Sequence, residues 1–153
     1  MNLSENPNAL KQLRKAPWTF QRTFKTPLKA LHPFVATIIS AASPDTACVT
    51  IEQAVFEPRH WIALLARHSL APRYGKGVSV TAVGRQEMEE LLQAAFTEWF
   101  DFLCVPTPKP FVIYADHDEY TTFYASTRSN LNRVVTPLLV QGFEQIANYS
   151  RRL

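Results

Sequence analysis

The chain has 153 residues, of which 46% are apolar and 19% are charged, so it can bury a sizeable core as one domain. It has no run of about 18 apolar residues and no basic segment followed by an apolar one at its start, so we expect neither a membrane span nor a secretory signal. The net charge of +3 is uneven, because residues 1–32 carry six Lys and Arg against one acid, whereas the remainder carries ten against twelve. This basic N-terminal arm suits a phosphate backbone, an anionic membrane surface or an acidic protein.

The first half of the chain predicts a lead-in followed by strands. Residues 1–16 form a mobile or helical basic lead-in, and residues 17–153 form a single domain. Aromatic residues are interspersed with polar ones over Trp18–Phe24, which suits an edge strand. The segment Val35–Ala42 fits either a helix or a strand, and its periodicity does not decide between them. Thr46–Phe56 is rich in β-branched residues and predicts a strand.

Helical periodicity dominates the second half. Pro58 suits a first helical turn, and apolar residues follow it at helical spacing. After a strand predicted at Val78–Val83, the segment Arg85–Phe100 gives the clearest helical pattern, with its glutamates away from its apolar face. Asn130–Tyr149 predicts a last helix, which Pro137 must kink or divide.

Between these two helices, the sequence VPTPKPFVIYADHDEYTTFY of Val105–Tyr124 predicts a β-hairpin. Prolines lead into an apolar strand, four polar residues form the turn, and a strand rich in aromatic residues and threonine follows. Strands this close along the chain must pair antiparallel. If Ala115 pairs with Tyr120, then Phe111, Ile113 and Ala115 share one face with Tyr120, Thr122 and Tyr124.

Together these elements predict an α+β fold more readily than a doubly wound parallel sheet. We expect a single compact domain with a mixed or mostly antiparallel sheet. Its C-terminal hairpin, at about residues 111–125, should be packed by about three amphipathic helices.

Cys48 and Cys104 lie far apart along the chain, each among apolar neighbours. The simplest interpretation is two free, buried thiols in a reducing cytoplasm. Two cysteines without histidines at ligand spacing do not predict a structural zinc site. We therefore expect a cytoplasmic protein with no cofactor.

The hairpin turn is the only place where acidic, basic and metal-ligating groups crowd together. Carboxylates at i and i+2 can chelate a hard cation, and a histidine between carboxylates can act as a general base. The simplest interpretation is a charged structural turn, and the next is a loop that contacts a partner protein. The partner-binding hypothesis uses Tyr114, Asp116, His117, Asp118, Glu119 and Tyr120.

The N-terminal arm suggests a second kind of site. Its aromatic residues Trp18, Phe20 and Phe24 are interleaved with basic ones, a composition compatible with single-stranded nucleic acid. No RNA-binding signature follows the arm, and the rest of the chain is slightly acidic. The basic residues of this hypothesis are Lys11, Arg14, Lys15, Arg22 and Lys25.

No catalytic signature of a known kind occurs, so the sequence favours a binding protein over an enzyme and leaves the question open. We expect a small bacterial-type accessory protein that occupies a protein partner, such as an immunity or inhibitor protein that neutralises a toxin. The first alternative is a nucleic-acid-associated protein that uses the basic arm. The second is a small metal-dependent hydrolase centred on Asp116–Glu119.

Overall fold

The computed structural model describes all 153 residues, which form seven strands and five helices. The strands are β1 (Asn2–Glu5), β2 (Phe20–Lys25), β3 (Thr46–Ala54), β4 (Val78–Val83), β5 (Phe100–Thr107), β6 (Val112–Ala115) and β7 (Tyr120–Ala125). The helices are α1 (Ala9–Leu13), α2 (Leu31–Ala42), α3 (Arg59–Arg67), α4 (Arg85–Thr97) and α5 (Arg128–Val140).

All seven strands belong to one sheet, in which every neighbouring pair is antiparallel. The order across the sheet is β1-β4-β3-β5-β6-β7-β2. Strands β5, β6 and β7 follow one another as hairpins, whereas β2 comes from early in the chain and closes the edge beside β7. The predicted α+β class, with its C-terminal hairpin packed by helices, is confirmed.

The helices α2, α3, α4 and α5 pack on one face of the sheet, and the main apolar core lies between them and the strands. Phenylalanine rings meet edge to face at its centre. The ring of Phe34 on α2 lies 5.7 Å from that of Phe96 on α4 and 6.5 Å from that of Phe123 on β7. Such pairs add to the free energy gained by burying apolar area, so they fix α2 and α4 against the sheet.

The opposite face of the sheet is covered by α1 and by the segment that follows α5. The predicted lead-in belongs to the fold, because β1 pairs with β4 and the amide of Asn6 donates to the carbonyl of Gly77 at 2.6 Å. Gly77 has φ +85°, and a Cβ there would lie 2.8 Å from the Cα of Pro7, so glycine is required at this position. Six residues form a buried cluster on this face: Ala9, Leu13, Leu103, Val112, Tyr114 and Tyr124.

The segment that the sequence left open, Val35–Ala42, is helical and forms most of α2. Pro33 lies in the first turn of this helix, where the missing amide of proline would have no helical partner. The helix ends at Ser43, which has a left-handed conformation with φ 46° and donates its amide to the carbonyl of Ile39 at 2.8 Å.

The strand β5 was not predicted. The helix expected at Arg85–Phe100 ends at Thr97 instead, and the chain turns at once into β5, which pairs with β3 on one side and β6 on the other. Nearly every residue of β5 is buried. A strand buried on both faces lacks the alternation of apolar and polar residues that marks a half-exposed strand, so its pattern is ambiguous.

The last helix is shorter than the predicted Asn130–Tyr149, so that prediction is wrong over its second half. Helix α5 continues through Pro137 and ends at Val140. Gly142 then adopts a left-handed conformation, with φ +85°, which is a common way to end a helix.

Residues 143–153, which we call the tail, run along the outer edge of β2 and then across the face that carries α1. The amide of Lys25 donates to the carbonyl of Glu144 at 2.9 Å, and the amide of Ile146 donates to the carbonyl of Thr23 at 2.8 Å. These bonds cover an edge strand that would otherwise expose unpaired backbone groups.

The register of the hairpin differs by one residue from the predicted one. Ala115 pairs with Thr121 instead of Tyr120, because Glu119 adopts a left-handed conformation with φ +68° and adds a residue to the loop. A shift of one residue exchanges the two faces of a strand. As a result, Phe111, Ile113 and Ala115 face the helices together with Thr121, Phe123 and Ala125, whereas Tyr120, Thr122 and Tyr124 lie on the other face.

Both cysteine thiols are free, with Cys104 buried on β5 and Cys48 partly exposed on β3. Burial raises the pKa of the Cys104 thiol, which keeps it protonated and unreactive. None of the five helices combines the length and the apolar character that a membrane crossing requires.

Candidate functional site

Asp116 holds the hairpin loop together, and its side chain is only 6% exposed. Its Oδ1 accepts hydrogen bonds from the amides of Asp118, at 3.0 Å, and Tyr120, at 3.1 Å. Its Oδ2 accepts one from Nη1 of Arg151, at 2.8 Å. Burial raises the pKa of the Asp116 carboxyl, against the opposing effects of these amides and of the Arg151 charge. Asp116 therefore shapes the loop from within.

His117 is oriented by Asp101, a buried residue near the start of β5. Oδ1 of Asp101 lies 2.7 Å from Nδ1 of His117 and accepts the His117 amide at 2.9 Å. The hydrogen bond that the Asp101 carboxylate accepts from the imidazole raises the pKa of His117. The other ring nitrogen, Nε2, has Oδ1 of Asp118 at 3.8 Å. An imidazole held by a carboxylate can serve as a general base, and the alternative of a hydrolase centred on His117 stays a prediction.

Glu52 is a further acid whose surroundings are unusual. One of its carboxylate oxygens is buried without a hydrogen-bond partner. Burial raises the pKa of the Glu52 carboxyl, although Lys76 and Arg14 act in the opposite direction. No group of three or more His, Cys, Asp and Glu side chains is arranged to hold a metal ion.

Tyr114 is buried beneath the tail. The guanidinium of Arg151 lies 4.0 Å from the centre of the Tyr114 ring, a cation–π contact on the side of the ring away from the core helices. The backbone of Arg151 is fixed as well, since its amide donates to Oε1 of Gln21 at 2.8 Å and its carbonyl accepts from the Tyr124 hydroxyl at 2.7 Å. Burial raises the pKa of the Tyr114 hydroxyl. Tyr114 and Asp116 thus bind the Arg151 side chain and so anchor the tail.

The remaining predicted partner-binding residues lie nearer the surface. Asp118 is the most accessible, with 73% of its side chain exposed. Glu119 and Tyr120 are half-buried, and the Tyr120 ring packs on that of Tyr149 in the tail at 4.9 Å. The structure therefore brings the six predicted residues together but exposes chiefly Asp118, Glu119 and part of His117 to solvent.

Exposed aromatic side chains that the sequence pattern does not mark as site residues lie beside this loop. Phe56 is 64% exposed and Trp99 is 54% exposed, and their rings meet edge to face at 5.8 Å. The amide of Val55 donates to the carbonyl of Trp99 at 3.0 Å, and Leu28 is exposed nearby. We call Leu28, Val55, Phe56 and Trp99 the aromatic end.

The aromatic end adjoins the hairpin loop directly. A small cleft of about 40 Å³ is lined by Leu28 and Trp99 from the aromatic end and by His117 and Glu119 from the loop. Helical periodicity predicts Trp99 on the apolar face of a helix, and composition predicts Phe56 at the end of a strand. In the structure, Trp99 follows the end of α4 and Phe56 follows the end of β3, so both lie in loops.

The predicted basic residues are all exposed but do not form one surface. Lys11, Arg14 and Lys15 lie on or next to α1, whereas Arg22 and Lys25 lie on the edge strand β2. The structure instead brings Arg14 next to Arg151 and Arg152 of the tail in one cleft, together with Trp18. No signal in the sequence predicts that the tail returns to the arm.

Neither a family model nor a curated protein nor a solved structure matches this chain. Functional conclusions therefore depend on the geometry of the hairpin loop, of the aromatic end, and of the cleft lined by Arg14, Trp18, Arg151 and Arg152, which we call the basic cleft.

Proposed function

We propose that this chain is a non-enzymatic protein-binding protein that occupies its partner with the aromatic end and the adjoining hairpin loop. The observation that carries the proposal is the pair Phe56 and Trp99. Both are more than half exposed, their rings meet edge to face, and Trp99 lines a cleft together with His117 and Glu119 of the loop. Isolated exposed apolar residues are ordinary, but a contiguous apolar patch with a polar border is typical of an interaction site. Large aromatic side chains supply much of the binding free energy in such sites.

The charge of the loop suggests the chemistry of the partner. Asp118, Glu119 and the exposed Glu57 bring carboxylates to the border of the aromatic end. A partner that fits would offer an apolar pocket bordered by Lys or Arg side chains. The charges would steer association, and Phe56 and Trp99 would fill the pocket. The basic residues on and next to α1 lie over the other face of the sheet, away from this contact. Lys25 and Lys29 line a cleft with Leu28 and Glu119, so the basic side chains of the partner would meet Asp118 and Glu57.

An inhibitor or immunity protein that blocks a toxin in the bacterial cytoplasm is the form of binding protein that we favour. A rigid surface supports it, since Asp116 and His117 are both held by hydrogen bonds within the chain. A loop that is already ordered loses little conformational entropy on binding, which favours the tight association that an inhibitor needs.

Capture from an extract of the source cells, followed by mass spectrometry, tests this proposal. The bait proteins are the wild type, the double variant Phe56→Ala/Trp99→Ala, the variant Asp118→Lys, and the control Val83→Ala. Val83 is as exposed as the two aromatic residues. It pairs with Thr46 at the start of β3, whereas Phe56 follows the end of β3, so Val83 lies away from the aromatic end and the loop. We expect wild type and Val83→Ala to retain one protein in stoichiometric amount, and both other variants to lose it with their melting temperatures preserved.

The captured protein is then purified and titrated by calorimetry, and its own activity is measured with and without the chain. Stoichiometric binding with loss of the partner's activity supports an inhibitor. Binding that survives both the Phe56→Ala/Trp99→Ala and Asp118→Lys substitutions contradicts the proposal, as does binding that Val83→Ala weakens equally.

A further inference from the structure

A second surface, unconnected with the aromatic end, lies where the N-terminal arm meets the tail. It is a cleft of about 340 Å³ between α1, β2 and β7. Three arginines line it, and no Asp or Glu side chain does, although a main-chain oxygen of Leu153 also lies there and accepts from Nε of Arg14. Its lining residues include Arg14, Trp18, Gln21, Arg151 and Arg152.

Two of the three arginines can still bind an anion. Arg151 is already paired with Asp116, so its charge is largely balanced. Arg14 uses only its Nε, which donates to the carbonyl of Leu153, and its two terminal nitrogens make no hydrogen bond within the chain. Arg152 is exposed and makes neither a hydrogen bond nor an ion pair within the chain, and Lys15 is exposed next to Arg14.

Trp18 adds an aromatic surface to the cleft. Its indole Nε1 donates to the carbonyl of Leu13 at 2.7 Å, which fixes the ring beside the arginines while leaving it partly exposed. An indole held next to positive charges is the arrangement on which an unpaired base stacks while its phosphates are bound. Guanidinium groups also suit phosphate oxygens, since their parallel N–H groups can donate two bonds at once.

We propose that this cleft binds single-stranded nucleic acid, with phosphates on Arg14 and Arg152 and a base on Trp18. The proposal keeps Arg14 from the basic-arm hypothesis, adds Arg152 of the tail, and leaves out Arg22 and Lys25 on β2. This surface shares no residue with the aromatic end, so nucleic-acid binding can be tested independently of the proposed protein interface. In a duplex the bases are paired and stacked on one another, so none is free to stack on Trp18. We therefore expect a duplex to bind more weakly than a single strand.

The test is fluorescence anisotropy with a fluorescein-labelled oligothymidylate of 20 nucleotides and a labelled duplex of the same length, at several sodium chloride concentrations. We expect the wild type to bind the single strand more tightly than the duplex, with an affinity that falls steeply as salt increases. Arg14→Ala and Arg152→Ala should each weaken binding several-fold and reduce the salt slope by about one unit. Trp18→Ala should weaken the single strand far more than the duplex, with circular dichroism checking that the variant is folded.

Arg133→Ala is the matched control, because Arg133 is an exposed arginine on α5, on the opposite face of the sheet. It should bind as the wild type does. The proposal is overturned if the single strand fails to bind at the lowest salt concentration. It is equally overturned if Arg133→Ala weakens binding as much as Arg14→Ala and Arg152→Ala, or if the duplex binds more tightly.

Discussion

At the scale of single residues, the pair of His117 and Asp101 makes the stability of the fold depend on pH. Asp101 raises the pKa of His117 above its ordinary value of about 6.5, so the imidazolium is favoured in the folded state. The stability contributed by this pair is fully present below about pH 6.5 and is lost as the pH rises through the folded pKa. We therefore expect the wild type to lose stability relative to His117→Asn over that interval, since asparagine cannot titrate there.

Urea unfolding of both proteins between pH 5 and pH 9 measures this effect. The other three histidines are present in both proteins, so the comparison isolates the effect of His117. A difference in unfolding free energy that does not change with pH would show that His117 has an ordinary pKa.

Asp116 and Arg151 should respond unequally to substitution. Arg151→Ala removes the charge that faces a buried carboxylate and the contact with Tyr114, so we expect a loss of about 1–3 kcal/mol. Asp116→Asn keeps an oxygen that can accept the two loop amides, but its amide nitrogen would face Nη1 of Arg151. Because it also removes a carboxyl whose burial raises its pKa, we expect a smaller loss than for Arg151→Ala. Chemical denaturation measures both, with the exposed neighbour Arg152→Ala as control. Equal losses for Arg151→Ala and Asp116→Asn would contradict this explanation.

At the scale of elements, the register of the hairpin depends on the left-handed residue Glu119. A residue with a Cβ is strained at φ +68°, whereas glycine is not. We expect Glu119→Gly to stabilise the protein by about 0.5–1 kcal/mol, and Glu119→Ala, which removes the carboxylate but keeps a Cβ, to give no gain. Thermal unfolding of the two variants gives the comparison. A gain for Glu119→Ala as large as that for Glu119→Gly would mean that charge, and not backbone strain, limits the loop.

The same loop shows which features could be predicted from the sequence. The strands on either side were found because their composition is distinctive, and the fold class followed from their closeness along the chain. The register was missed because nothing in the letters Asp116–Glu119 marks the third residue after Asp116 as left-handed, a position that more often carries glycine or asparagine. The conformation of Glu119 sets the register, and the register places Tyr120 and Tyr124 on the face that the tail covers.

Elements whose place depends on distant contacts were harder to predict. β5 was missed because burial on both faces removes its periodicity, and Trp99, which precedes it, was therefore assigned to a helix. The end of α5 was missed because Gly142 is one residue in an otherwise helical pattern. Phe56 and Trp99 are exposed because β3 ends at Ala54 and α4 ends at Thr97, each earlier than the sequence predicts, so the sequence does not reveal this candidate interface.

At the scale of the whole molecule, the tail covers both an edge of the sheet and part of its second face. Residues 144–146 hydrogen-bond to β2, and the later residues lie over Tyr114, Tyr120 and Tyr124. These two kinds of cover protect different surfaces. An uncovered edge strand associates with other chains, whereas an uncovered aromatic face mainly costs stability.

Two truncated chains separate these roles. A chain that ends at Ala147 keeps the bonds to β2 but loses Tyr149 and Arg151, so we expect a monomer that is less stable by about 2–4 kcal/mol. A chain that ends at Gly142 also exposes the edge of β2, so we expect it to associate as its concentration rises. It also loses Phe143, whose ring meets that of Phe34 at 5.2 Å in the core. Urea unfolding and analytical ultracentrifugation measure the two effects. A stable, monomeric chain ending at Gly142 would show that β2 needs no cover, and the tail would then serve chiefly to place Arg151 and Arg152 in the basic cleft.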